Sequence, residues 1–354
     1  MKVRRYPHNP IITPKDVKPY LKDHQVIGVF NAGVAEYDGE ILLLLRVAEQ
    51  PISEDPNIVN VSYIDFSDGV GKVEIISLHK DDPNYDFSDP RTIFNKENRK
   101  IAYLTSLSHI RIARSKDGYN FTIDETPFIF PENEREAWGI EDPRVTKIDD
   151  TFYIQYSAVS PEGIGVGLVA TEDFQTYKRH GLMLHPENKD VTIFPEKING
   201  KYYCLHRPVP ASIGRPEIWI AESDNLEQWG NHQFLLGVSS DGWENGRIGA
   251  GAVPIKTDEG WLEIYHAADQ NDRYCLGAIL LDLDNPAKIV GKTPEPIMEP
   301  VEKYEIEGYF GNVVFTCGAV VNGDMVRIYY GVADTSIAVA EIRLSDILQQ
   351  LERY

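Results

Sequence analysis

Six times the chain sets a short polar turn ahead of an apolar strand, and this recurrence limits the folds open to it. The turns centre on Asp38-Gly39, Asn98-Arg99, Asp149-Asp150, Asn199-Gly200, Glu259-Gly260 and Asn322-Gly323. The strands that follow read ILLLLRV, IAYLTSL, TFYIQYSAVS, KYYCLHRP, WLEIYHAAD and MVRIYYGVADT. Asp-Gly and Asn-Gly between apolar runs are strong hairpin signals, because these residues accept the positive φ that a tight hairpin needs. Recurrence at roughly 50–60 residues is the period of a radial β-repeat. The expected fold is therefore all-β, a single β-propeller spanning 1–354 whose strand ends converge on a central funnel. Arg46, Arg207, His266 and Asp334 stand at such ends.

Composition narrows the partners. A net charge of −20 repels nucleic acid and anionic lipid, so neither is expected to bind. No apolar run reaches the length of about 18 residues that a membrane span needs. The N-terminal MKVRRYPHNP is basic but has no apolar stretch behind it, unlike a secretory leader. Cys204, Cys275 and Cys317 are odd in number and widely spaced, which fits neither a disulfide framework nor a zinc site. Reduced thiols in a cytoplasmic protein are the expectation. Carboxylates are plentiful, but no His/Cys/Asp spacing matches a metal site. Homo-oligomerisation is left open.

Several acidic residues read as structure. Arg114 to Phe121, Thr171 to Tyr177 and Glu222 to Trp229 repeat one pattern: a hydroxyl residue, an Asp or Asn, then an aromatic. Short Asp/Ser turns cap strands, so Asp117 and Asp173 are expected to shape turns and do no chemistry. Helix is scarce, with a short turn within 14–24 and a C-terminal helix over Ser345 to Glu352, capped by Ser345. The loops 49–60 and 208–216 are expected to rim a pocket.

The residues that could carry chemistry are spread along the chain. In Glu141-Asp142-Pro143-Arg144 a stiff proline follows a carboxylate at the start of a strand, a placement that projects an acid into a funnel. Ser88-Asp89-Pro90-Arg91 shows the same tripeptide in a weakly patterned stretch and reads as a turn. Lys189, Arg207, Arg247 and His266 are cationic groups at the ends of successive repeats. In so acidic a chain, their focus would make a local anion site. The Gly-rich run Asn245 to Gly251 lets backbone approach a ligand closely.

Together these segments resemble the mannoside phosphorylases of glycoside hydrolase family 130. The likeness is carried by Phe30-Asn31-Ala32-Gly33 with LLLRV, by Gly139 to Arg144, and by NKDVTIFPEKINGKYYCLHRP. NGRIGAGAVPIKTDEGWLEIYH, LGAILLDLDNPAKIVG and IYYGVADT extend it across nearly the whole chain. The resemblance implies a five-bladed propeller that needs no cofactor, inorganic phosphate being a co-substrate. It implies Asp142 as general acid, and Asn31, Arg46 and Asp334 as contacts to the mannose before the scissile bond. It implies Lys189, Arg207, Arg247 and His266 around phosphate; a protonated His266 would help to neutralise it and tie activity to mildly acidic or neutral pH. It also implies that Asp142 passes its proton through the mannose 3-hydroxyl. Two departures stand out. Relatives acting on β-1,4 linkages carry Arg-Asn where this chain has Lys189-Asp190. They also carry a Tyr-Asp-Arg-Arg-like loop where it has VAEQPISEDP, so one further phosphate arginine has no counterpart here. The opening NAGVAE, LLLRVAE and SEDPN, with GYFGNVVFTCGAV, most resembles the branch acting on β-1,2-linked mannobiose and mannooligosaccharides.

An inverting glycosidase needs an acid and a second carboxylate to activate water, whereas a phosphorylase replaces that base with cations that hold phosphate. The basic set therefore predicts phosphorolysis of a β-mannoside to α-mannose 1-phosphate. An inverting β-1,2-mannosidase, with Glu196 or Glu244 as base, and a non-catalytic carbohydrate-binding propeller remain as alternatives.

Overall fold

The computed structural model describes residues 2–354. Strands gather into seven sheets, five of which have four or more strands. The first large sheet pairs His24–Tyr37 with Glu40–Pro51, then Leu107–Ser115 and Thr122–Ile123. The second is Ile140–Ile148, Thr151–Ser160, Gly163–Thr171 and Lys178–Leu184. The third is Asn188–Ile193, Tyr202–Pro208, Ile218–Ser223 and Trp229–Leu236. In the fourth, Arg247–Gly249 and Ile255–Thr257 both pair with Gly260–Ala268, followed by Tyr274–Leu281 and Ile289–Lys292. The fifth is Val314–Asn322, Met325–Val332 and Ser336–Arg343. The chain ends serve as outer strands: Arg4–Arg5 pairs with the fifth sheet and Glu352–Arg353 with the fourth.

Neighbouring sheets pack face to face, and this explains the continuous apolar runs. In ILLLLRV alternate residues point to opposite faces. Leu42 and Leu44 join Ile110, Ile112, Phe152 and Ile154 on the side of the second sheet. Leu43, Leu45 and Val47 join Tyr329, Ile337 and Val339 on the side of the fifth. Both faces are buried, so alternation disappears; each such leucine contributes about 1.5–3 kcal/mol. First strands meet at the centre: His24–Tyr37 packs on both Ile140–Ile148 and Val314–Asn322, and Ile140–Ile148 packs on Asn188–Ile193.

Two expectations need correction. The unit beginning at Asn98 does not open a large sheet. Its strand Ile101–Leu104 belongs to a small three-stranded sheet with Tyr85–Asp86 and Thr92–Asn95. With the hairpin Ile58–Asp65 and Lys72–His79, this sheet is an insertion between the second and third strands of the first sheet. A hairpin signal is local and says nothing about which sheet receives the hairpin. The C-terminal helix runs Leu344–Gln350, one residue ahead of expectation, and Ser345 lies inside it. Asp324, in the preceding hairpin turn, accepts the Ser345 N–H and hydroxyl at 2.8 Å each, so the cap comes from a distant residue. Asp117 and Asp173 do cap turns, each accepting two backbone N–H groups just downstream.

Candidate active site

The first strands of three successive sheets share one distortion. Pairing skips between Phe30 and Gly33, between Glu141 and Arg144, and between Lys189 and Thr192. The residue that opens each bulge is Asn31, Asp142 or Asp190, with φ of 50°, 50° and 54°. That left-handed conformation is costly for most side chains and least so for Asn and Asp, and a bulge re-aims the side chain it carries. All three residues are buried, and all three line a cavity of about 560 Å³. Arg46 stands opposite Phe30 and Arg207 opposite Lys189, so two of the three bulges bring a second-strand arginine beside them.

Around the acid, hydrogen bonds are dense. Asp142 Oδ1 accepts from Asn31 Nδ2 at 2.9 Å and from Arg46 Nη1 at 3.0 Å. Arg46 also donates to Glu141 Oε1 at 2.7 Å and to Ser108 Oγ at 3.1 Å. Burial pushes the Asp142 carboxyl up, but Arg46, Lys189 and the Asn31 bond outweigh it and hold it below the ordinary value. Asp334 goes the other way. Burial, reinforced by Asp142 and Glu141, raises it to about 6 against the pull of Arg46 and Arg91.

On the neighbouring strand, Asp190 serves as a shared counter-ion for the basic groups around it. Asp190 Oδ2 lies 2.9 Å from Arg207 Nε and 3.2 Å from His266 Nε2, and Oδ1 lies 3.5 Å from Arg144 Nη2. Burial works against ionisation of Asp190, yet Arg207, His266 and Arg144 together keep it ionised, well below the ordinary range. Lys189 has no carboxylate within ion-pair distance among the described residues. Burial depresses His266 to about 4 against the pull of Asp190, so in the free protein its imidazole is neutral near pH 7. Arg144 ties the Asp142 and Asp190 bulges together. It donates to the carbonyls of Gly251 at 2.9 Å, Ala250 at 2.8 Å and Asp142 at 3.2 Å.

Seven of the eight expected site residues line this cavity: Asn31, Arg46, Asp142, Lys189, Arg207, His266 and Asp334. Arg247 does not. Its guanidinium donates to Tyr274 Oη at 3.0 Å and pairs with Asp272, and Tyr274 is the residue that reaches the cavity wall. The loop 208–216 contributes Ala211 to the rim, but 49–60 contributes nothing, because the strand continues to Pro51. Arg91, Thr92, Lys100, Ile101 and Leu104 of the insertion line that side instead. Sequence reasoning missed Asp190, Tyr274 and Arg91. Asp190 had a readable signal, a polar residue at the start of an apolar strand as in Asn31 and Asp142. Tyr274 had none.

The model of the family described as β-1,4-mannooligosaccharide phosphorylase matches residues 99–353. The chain belongs to glycoside hydrolase family 130. Within the family it is 54% identical over 353 residues to a β-1,2-mannobiose phosphorylase of Listeria innocua serovar 6a, covering 99% of each chain. It is 44% identical over 244 residues to a 1,2-β-oligomannan phosphorylase of a Thermoanaerobacter species, covering 68% of this chain and 80% of the relative. The solved structure of the Listeria innocua enzyme, in complex with β-1,2-mannobiose, superposes with a TM-score of 0.97 over 99% of both chains. A putative glycoside hydrolase from Parabacteroides distasonis shares the fold, at 22% identity and a TM-score of 0.72, over 96% of this chain and 95% of that one.

Proposed function

We propose that this protein is a cytoplasmic β-1,2-mannoside phosphorylase built as one five-bladed β-propeller, the five large sheets being its blades. It transfers the mannosyl group of β-1,2-mannobiose, or of a longer β-1,2-mannooligosaccharide, to inorganic phosphate. The products are α-mannose 1-phosphate and a shortened acceptor. The observation that carries this reading is that one cavity holds both Asp142, gripped by Asn31 and Arg46, and the cationic side chains of Lys189 and Arg207 with His266. Asn31, Arg46 and Asp334 then hold the mannose between them.

Asp142 must be protonated to act, although Arg46 and Lys189 favour its ionised form in the free protein. A phosphate dianion beside Lys189 cancels much of that bias and raises the carboxyl toward a working proton donor. Phosphate attacks C1 from the α face while the Asp142 proton passes, through the mannose 3-hydroxyl, to the departing oxygen. The neutral His266 contributes hydrogen bonding and shape rather than charge, and positive charge falls to Lys189 and Arg207.

The hydrolytic alternative loses its bases. Glu196 pairs with Lys256 on the surface, and Glu244 is buried with Lys292, Tyr265 and Ser239; neither lines the cavity. A merely sugar-binding propeller would have no need to gather Lys189 and Arg207 in the same cavity, since a neutral sugar brings no anion for them to hold. The deciding experiment incubates the protein with β-1,2-mannobiose, with and without phosphate. Mannose 1-phosphate appearing only with phosphate is expected. Release of free mannose without phosphate would establish a hydrolase, and no turnover would leave a binding module.

A further inference from the structure

The Asp-Pro-Arg tripeptide occurs twice, and the structure uses the two copies in opposite ways. In Asp142-Pro143-Arg144 the acid reaches the cavity, while the arginine is 1% exposed and spends its donors on backbone carbonyls. In Asp89-Pro90-Arg91 the acid is the anchor. Asp89 Oδ1 accepts from the Arg91 backbone N–H at 2.8 Å and from Nε at 3.2 Å, and Oδ2 accepts from Nη2 at 3.0 Å. This bidentate grip fixes the guanidinium plane. The plane stacks on the Phe310 ring, with Cζ 3.5 Å from the ring centroid. Pro90 is held as well: its carbonyl accepts from Thr105 Oγ1 at 2.7 Å and from Tyr309 Oη.

The third nitrogen of that fork is left over. Nη1 makes no hydrogen bond, and its one ionic neighbour is Asp334 Oδ2, at 3.8 Å and beyond hydrogen-bond reach. Arg91 lines the same cavity as Lys189, Arg207 and Tyr274, and its charge acts on the Tyr274 hydroxyl together with those of Arg247 and Arg207. A rigidly braced guanidinium with free donors, in the cavity where Lys189 and Arg207 also stand, is built to meet an anion. We propose that Arg91, delivered by the inserted sheet, binds the inorganic phosphate directly and supplies the cation that the loop after Arg46 does not provide. The inference rests on the phosphorylase reading for the identity of the anion, but the site can be probed without turnover.

The test is calorimetric binding of inorganic phosphate, and separately of β-1,2-mannobiose, to the full chain and to R91A, R91K and D89N. Loss of a charge-assisted bond predicts that R91A weakens phosphate binding about 10-fold or more. Mannobiose binding should stay within about twofold, since the sugar keeps its own partners. R91K should fall between, because an ammonium cannot hold Asp89 and the anion at once. D89N should weaken phosphate about threefold by loosening the brace while keeping the cation. Phosphate binding by R91A at the wild-type level, or equal weakening of both ligands, would overturn the proposal. If R91A does not fold, R91K decides by the same criterion. A wild type that binds phosphate but never yields mannose 1-phosphate would count against the phosphorylase reading alone.

Discussion

Replacing Asp190 by Asn tests the electrostatic design of the cavity most directly. The carboxylate is 2% exposed and faces Arg207, His266 and Arg144 at 2.9, 3.2 and 3.5 Å. Removing one partner of a buried ion pair costs about 3–5 kcal/mol, because the remaining charge is left uncompensated. Asn keeps an acceptor oxygen and His266 is neutral, so the lower end, about 3 kcal/mol, is the expected loss. With an unfolding entropy of about 2.1 cal/mol/K per residue, that loss lowers the melting temperature by about 4 °C. Phosphate should then return at least half of it, since the dianion supplies the missing negative charge to the same cations. Ligand at about 100 times its dissociation constant adds about 2.7 kcal/mol. Melting curves of wild type and D190N across a phosphate titration read out both effects. D190N as stable as wild type without phosphate, or the same phosphate shift in both proteins, would refute the reasoning.

D142N should lose phosphorolysis by about a thousandfold or more while its melting curve stays close to wild type, since Arg46 keeps Glu141 as its counter-ion; turnover near the wild-type rate would remove Asp142 as the acid. Asp334 titrates near 6 in the folded chain and near 3.8 when unfolded, so its favourable contribution is present at low pH and lost as pH rises through about 6. At about 1.4 kcal/mol per pH unit, D334N should gain up to about 3 kcal/mol in urea unfolding at pH 8, and much less at pH 4, while losing sugar binding; an equal gain at both pH values would contradict this. His266 adds an opposite slope, because the unfolded histidine takes up its proton first, and stability falls as pH drops from 6.5 toward about 4. Burial pushes the Glu263 carboxyl well above its ordinary value, against the Gly251 N–H that Oε1 accepts at 2.8 Å and the charge of Arg144. E263Q should therefore unfold within about 1 kcal/mol of wild type, and a loss of about 3 kcal/mol would mean that Glu263 is an ionised partner of Arg144.

What the sequence determined by itself is what local chemistry dictates. Asp38-Gly39 and Asn199-Gly200 make turns in any context because those residues accept positive φ, and the runs after them are strands because both faces must be apolar. Asp142, Lys189 and Arg207 were legible as residues that would share one cavity because their motifs resemble a known family. Tertiary structure alone decided which hairpins are inserted, so that IAYLTSL roofs the cavity instead of opening a large sheet. It alone decided that Arg247 turns to Asp272 and Tyr274 while Arg91 arrives from the insertion. It also decided that burial lowers the pKa of His266, and that of two identical Asp-Pro-Arg tripeptides one turns its acid to the cavity and the other its arginine. The physical reason is the same throughout. A turn or a strand is fixed by interactions within a few residues, whereas burial, ion pairing and the direction of a charged side chain depend on neighbours that the chain brings together only when its sheets pack.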